Sequence, residues 1–186
     1  MVRDEFLIFM RGAILALPQS LKAALRVAED PDIPDEGRAL AAGSVVHWLS
    51  RTNTIPGVRG GAVAYVDDVL VLMLAIERTM KLSPDTAQRL AEIAPELCET
   101  LEADLALSRD YLGSGISVLE QALDRVARLK HMGRTAQQCV KDESAATMLY
   151  EELQAALVDF DPQPDAVARE LKELDTVVDD LRKKIG

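Results

Sequence analysis

Residues 50–68 read SRTNTIPGVRGGAVAYVDD, and this stretch decides how the chain folds. Its first part is rich in Gly and Pro, which permit tight turns and interrupt helices. Its second part opens an apolar segment that carries two adjacent carboxylates, Asp67 and Asp68. The stretch therefore predicts a loop that leads into a central helix, and it holds the first candidate functional residues.

Apolar residues recur at spacings of three and four on both sides of this loop, which indicates amphipathic helices. The pattern predicts helices over residues 3–28, 35–49 and about 61–82. Pro18 is expected to kink or divide the first of them, because proline lacks the amide that a helix interior uses. Ser83, followed by a proline and an acid, predicts the N-cap of a fourth helix.

Breaks and caps divide the second half of the chain into further helices. Pro95 is expected to kink or restart a helix, and residues 113–115 (GSG) end it. Residues 117–120 (SVLE) have the spacing of a capping box, which predicts a helix start at Ser117. A single helix is then expected from about Thr135 to Phe160.

The last predicted helix has a heptad pattern, with spacings of four and three between its apolar residues. These candidate interaction residues are Val167, Leu171, Leu174, Val178, Leu181 and Ile185. Such a seam either closes an intramolecular bundle or forms a coiled coil between chains, and the sequence leaves both open. We predict an all-α bundle of six to seven helices, divided into a helical core over residues 1–82 and an acidic bundle or arm over 83–186.

Composition restricts the functional classes. The net charge is −10, of which residues 1–81 contribute −1 and residues 82–186 contribute −9. Acidic chains repel phosphate backbones, so we expect no nucleic-acid partner. Cys98 and Cys139 form no CxxC motif, and His47 and His131 lack the spacing of metal ligands, so the sequence predicts no cofactor.

Three short elements lie on the first helices and the loop between them. A D-P-x-x-P element ends the first helix, the loop contains Ser and Ile-Pro, and the third helix carries an aromatic residue ahead of D-D. Their residues are Asp30, Pro31, Pro34, Ser50, Ile55, Pro56, Tyr65, Asp67 and Asp68. Over residues 22–78 these elements resemble the YkvA-like family, a bacterial domain of unknown function. Relatives are often regarded as membrane-associated, so the resemblance also implies a link to membranes.

The loop motif is degenerate in this chain. Arg51 stands where the family has proline, and Asn53 and Gly57 stand where it has two aspartates. A carboxylate site that relatives build from loop acids would therefore be half lost here. The loop residues of functional interest are Arg51, Asn53, Arg59 and Tyr65.

Asp67 and Asp68 are the metal candidates, and a structural role competes with that function. Adjacent helix residues point about 100° apart, so both cannot enter one narrow pocket side by side. In the functional interpretation, one of them binds a cation or a partner near the loop. In the structural interpretation they accept hydrogen bonds from loop amides or pair with Arg51 or Arg59.

Three functional hypotheses follow for a protein that we expect in the cytoplasm. The first is a non-enzymatic protein–protein interaction or scaffolding module, bound to a protein partner or to itself through the heptad seam. The second is a peripheral membrane protein that inserts residues 6–17, although net acidity disfavours anionic lipids. The third is a small metal-dependent enzyme centred on Asp67 and Asp68.

Overall fold

The computed structural model describes residues 1–52, 54, 61–176 and 178–179. The predicted all-α bundle is confirmed, since 81% of the structure is helical. The α-helices are α1 (Val2–Glu29), α2 (Asp35–Leu49), α3 (Ala62–Met80), α4 (Pro84–Ile93), α5 (Leu101–Leu112), α6 (Ile116–Val126), α7 (Ala136–Lys141), α8 (Glu143–Val158) and α9 (Pro164–Glu170). Short 3₁₀ turns span Pro95–Leu97, Gly113–Gly115 and Leu171–Glu173, and an antiparallel hairpin pairs β1 (Lys130–His131) with β2 (Arg134–Thr135).

The first helix runs without interruption through Pro18. Its buried stripe keeps one register on both sides of the proline and consists of Phe6, Met10, Ile14, Leu17 and Leu21. A break at the proline would rotate the two halves of this stripe out of the core. Continuous burial on α2 and α3 therefore outweighs the backbone bond that proline cannot make.

The core lies between α1, α2 and α3, and the later helices cover it. α2 is buried from Gly37 to Trp48 apart from Arg38, because small residues let its neighbours approach closely. A Cβ atom on Gly43 would lie 2.4 Å from Val126 Cγ1 and 2.7 Å from the Val126 carbonyl oxygen. This glycine is therefore the contact that allows the end of α6 to pack against α2.

Local signals located some helix ends correctly. Ser83 caps α4 by accepting a hydrogen bond from the Thr86 amide at 3.1 Å. At Pro95 the chain leaves α4, makes a 3₁₀ turn and begins α5 at Leu101. The helix start at Ser83 and the break at Pro95 could be predicted because each residue affects only the backbone next to it in sequence.

Two predicted features of the second half are wrong. No capping box occurs at Ser117: α6 begins at Ile116, and the Ser117 hydroxyl donates to the Ser114 carbonyl at 2.8 Å. The helix predicted from Thr135 to Phe160 is two helices, because the Asp142 side chain accepts from the Ala145 amide and starts α8. The capping box of this region lies at Thr135, where Gln138 supplies the reciprocal bond.

The predicted seam lies inside the molecule. Val167, Leu171, Leu174 and Val178 are each at most 3% exposed and belong to the same buried cluster as α1 and α3. Leu181 and Ile185 lie outside the described residues. The intramolecular alternative thus accounts for the four described positions, and the cluster unites residues from both predicted halves of the chain.

Candidate functional site

The two candidate carboxylates lie in a buried cluster with a histidine and a threonine. His47 occupies the last turn of α2, Asp67 and Asp68 lie in the second turn of α3, and Thr54 belongs to the connection between the helices. His47 Nδ1 is 2.8 Å from Asp68 Oδ1. His47 Nε2 is 3.1 Å from Thr54 Oγ1 and 3.5 Å from Asp67 Oδ2. One imidazole ring therefore bridges two carboxylates that diverge from adjacent helix positions.

The same cluster holds the start of the loop. The Thr54 amide donates to Asp67 Oδ2, and the Thr54 hydroxyl meets the histidine ring. Asp67 thus accepts a loop amide, as the structural interpretation expected. Asp68 pairs with His47 instead of an arginine, a partner that the sequence did not indicate. The cluster ties the end of α2, the loop and the start of α3 together.

Burial dominates the electrostatics of the cluster. His47 is 1% exposed, Asp67 0% and Asp68 9%. Burial raises the pKa of Asp68, and the hydrogen bond and charge of His47 oppose that rise. Removing a carboxylate from water is costly unless it has such partners, so the His47–Asp68 contact offsets part of the cost of burying Asp68.

Stability should therefore depend on pH through Asp68. Its raised pKa means that the folded chain keeps a proton which the unfolded chain loses near pH 4. The contribution of this group is greatest below the unfolded pKa and is lost as the pH rises through the folded pKa. The free energy of unfolding of the wild type, minus that of Asp68→Asn, is expected to decrease as the pH rises from about 4. Urea unfolding of both proteins across this range measures the difference, and an increase would contradict it.

The order of groups in the cluster is hydroxyl, imidazole and carboxylate, as in hydrolase triads. Catalysis also needs a substrate beside the hydroxyl and the ring, and the His47 ring is buried, at 1% exposure. Within the part of the chain that the structure describes, no three His, Cys, Asp or Glu side chains are arranged to hold a metal. Burial raises the pKa of Cys98 and Cys139, so neither thiol is activated as a nucleophile.

The other loop residues that the sequence singled out do not form one site. Tyr65 packs edge-to-face on Phe160, with ring centroids 5.0 Å apart, and Trp48 contacts the same ring at 5.7 Å. Arg51 is exposed and has a positive φ of 50°. Asn53 and Arg59 lie outside the described residues. Tyr65 is therefore part of the packing of α3 against the segment that follows α8.

A distant carboxylate completes the start of α3. Glu170 of α9 accepts from the Ala62 amide at 2.6 Å, beside Gly61, whose φ of 68° favours glycine. Negative charge at a helix N-terminus satisfies an unpaired amide and complements the helix dipole. Sequence reasoning missed this cap because 108 residues separate the two groups.

A second feature, an apolar groove, lies on the surface between α1 and α5. It encloses about 440 Å³. Val69, Leu72, Met73 and Ile76 of α3 form its floor, and Leu97 and Leu101 form one wall. The opposite wall is the outward face of α1, where Ile8 is 75% exposed and Gly12 and Ala16 are exposed. We call this surface the α1–α5 groove.

The proposed membrane-insertion segment is divided between this groove and the core. Phe6 is fully buried and stacks on Tyr111 with centroids 4.3 Å apart, whereas Ile8 faces outward. Among the described helices, α1 has the length and apolar composition to cross a bilayer, and a third of its most apolar window is buried in the fold. Core helices of soluble proteins have the same properties, so length and composition alone do not define a span.

Comparison with known proteins finds no family model, no curated protein and no solved structure that matches this chain. The resemblance to the YkvA-like family therefore stays a prediction from its short motifs.

Proposed function

We propose that the chain is a non-enzymatic interaction module that binds an amphipathic helix of a protein partner in the α1–α5 groove. The observation that carries the proposal is the groove itself, an open cavity of about 440 Å³ that is lined mainly by apolar side chains and has Ile8, 75% exposed, at its rim. Clefts that are lined mainly by apolar side chains, with a few polar groups, are typical of binding sites. The four described residues of the heptad seam are buried within the fold, so this proposal places association in the groove.

The shape of the groove favours a helix as its occupant. Gly12, Ala13, Ala16 and Ser20 line the α1 wall, and none of them has a large side chain. A Cβ atom on Gly12 would meet nothing within 4 Å. Small residues on one helix let a second helix axis approach closely. An amphipathic helix could then place its apolar stripe on the floor, as helix-in-groove partners do.

A designed peptide tests the proposal without a known partner. The probe is an 18-residue helix with Leu at i, i+3, i+4 and i+7 and with Glu–Lys pairs elsewhere, so that its net charge is zero. We expect saturable binding by fluorescence anisotropy. The double variant Gly12→Gln/Ala16→Gln, which fills the groove with polar side chains, should weaken it at least about tenfold.

The matched control is Val158→Gln, which removes an 82% exposed apolar side chain outside the groove and should leave binding unchanged. Binding that Val158→Gln weakens as much as the groove variant does would contradict the proposal. So would the absence of peptide binding together with sedimentation on phosphatidylcholine–phosphatidylglycerol vesicles. That second result would support the membrane hypothesis if Ile8→Gln abolished it.

A further inference from the structure

We infer that the helix received by the α1–α5 groove is basic, with Lys or Arg beside its apolar stripe; this inference rests on the proposed function. Among the described residues that line the groove, Glu96 and Asp104 are acidic and none is Lys or Arg. Charges at the rim of an interface select partners and orient them. The rim of this groove therefore favours a cationic occupant.

Two basic residues of α1, Arg11 and Arg26, do not reverse this field. Arg11 lies toward α9, with its Nη2 3.8 Å from Asp165 Oδ1. Arg26 pairs with Glu96 and donates to the Ile93 carbonyl, so it neutralises part of the charge at one end of the groove. Asp104 accepts a hydrogen bond from the Thr100 hydroxyl, a neutral partner, at 2.5 Å. The negative field is thus centred on Asp104.

The length of the groove sets the length of the segment that it holds. From Ile8 to Ser20 the α1 wall rises about 18 Å, at 1.5 Å per residue. A partner helix that follows this wall contributes about twelve residues, or a little over three turns. Within that length, apolar residues at i, i+3, i+4 and i+7 face the floor, and the flanking positions reach the acidic rim.

The charge of the chain makes an anionic occupant unfavourable. Its net charge is −10, and acids line the groove itself. Anionic lipid head groups would be repelled in the same way, so the inference is for a protein helix and not for an acidic membrane surface. Salt weakens exposed ion pairs, so the preference for a basic helix should fall as ionic strength rises.

The test compares three peptides that share the Leu stripe and differ only in their flanks: Lys throughout, paired Glu and Lys, or Glu throughout. At 0.15 M salt the Lys peptide should bind about fivefold more tightly than the net-zero peptide, and the Glu peptide should bind most weakly. In Glu96→Gln/Asp104→Asn this advantage should fall to about twofold or less. The control, Glu151→Gln/Glu173→Gln, removes the same charge from exposed positions outside the groove and should keep the advantage.

The outcomes separate this inference from the function on which it rests. Equal binding of the Lys and net-zero peptides, still abolished by Gly12→Gln/Ala16→Gln, would overturn the basic partner and leave the groove as an interaction site. An advantage that both charge variants keep would also overturn it, because the overall charge and not the rim would then be responsible. If none of the three peptides binds, the proposed function itself is wrong.

Discussion

Replacing His47 with alanine is expected to lower the free energy of unfolding by about 3 kcal/mol at pH 7, the loss typical of a broken buried pair. The substitution removes the 2.8 Å partner of Asp68 and the ring contacts of Thr54 and Asp67, and the His47 side chain itself is only 1% exposed. Protonation of Asp68 recovers part of the cost, since its pKa is already raised by burial. Urea unfolding followed by circular dichroism measures the change.

His131→Ala is the matched control for this prediction. The side chain of His131 is 22% exposed and lies 3.4 Å from Glu152, so the same substitution there breaks an accessible pair. Such pairs contribute about 0.2–1 kcal/mol. The prediction fails if the two alanine variants unfold at the same urea concentration. A double-mutant cycle with Asp68→Asn should show that the losses at His47 and Asp68 are not additive, because each removes the same contact.

The variant Gly43→Ala is expected to destabilise the protein by about 2 kcal/mol, the scale of overpacking in a close-packed core. Its new methyl group would lie 2.4 Å from Val126 Cγ1 and 2.7 Å from the Val126 carbonyl oxygen. The backbone oxygen cannot move without shifting the end of α6 away from α2. This cost exceeds the gain of about 1 kcal/mol that alanine brings to a helix interior.

Two further variants separate the contact from helix propensity. Gly12→Ala makes the same change in α1, where an added Cβ meets nothing within 4 Å, and should stabilise the protein by up to about 1 kcal/mol. Val126→Ala in the Gly43→Ala background should restore only part of the loss, because the contact with the carbonyl remains. Thermal unfolding of the four proteins gives the comparison. A rise in melting temperature for Gly43→Ala would contradict the packing argument.

The sequence predicted the features that depend on near neighbours. Ser83 with Pro84 located a helix start, and the apolar stripe of α1 predicted its buried face despite Pro18. The prediction at Ser117 was wrong because the preceding Gly113–Gly115 segment continues as a 3₁₀ turn into α6. In that geometry the serine bonds backward to Ser114 instead of capping the helix.

The candidate site depends on contacts that no local pattern encodes. His47 and Asp68 are 21 residues apart, and only the packing of α2 on α3 brings the ring to the carboxylate. The α1–α5 groove is likewise a property of three helices together. Residues 6–17 are apolar apart from Arg11 and Gly12, yet the structure turns Phe6 inward and Ile8 outward. The division between core and surface follows from where the neighbouring helices lie.

The contacts made by α9 and the segment after it have a consequence for the order in which the chain folds. Glu170 caps the Ala62 amide across 108 residues, and Asp175 accepts from Arg3 across 172 residues and from Tyr111 across 64. During synthesis the first helices leave the ribosome long before these partners exist. Until then the Ala62 amide can bond only to water, and the part of α1 that α9 covers stays exposed. We therefore expect the N-terminal half to complete its packing only after the residues at the other end of the chain have been made.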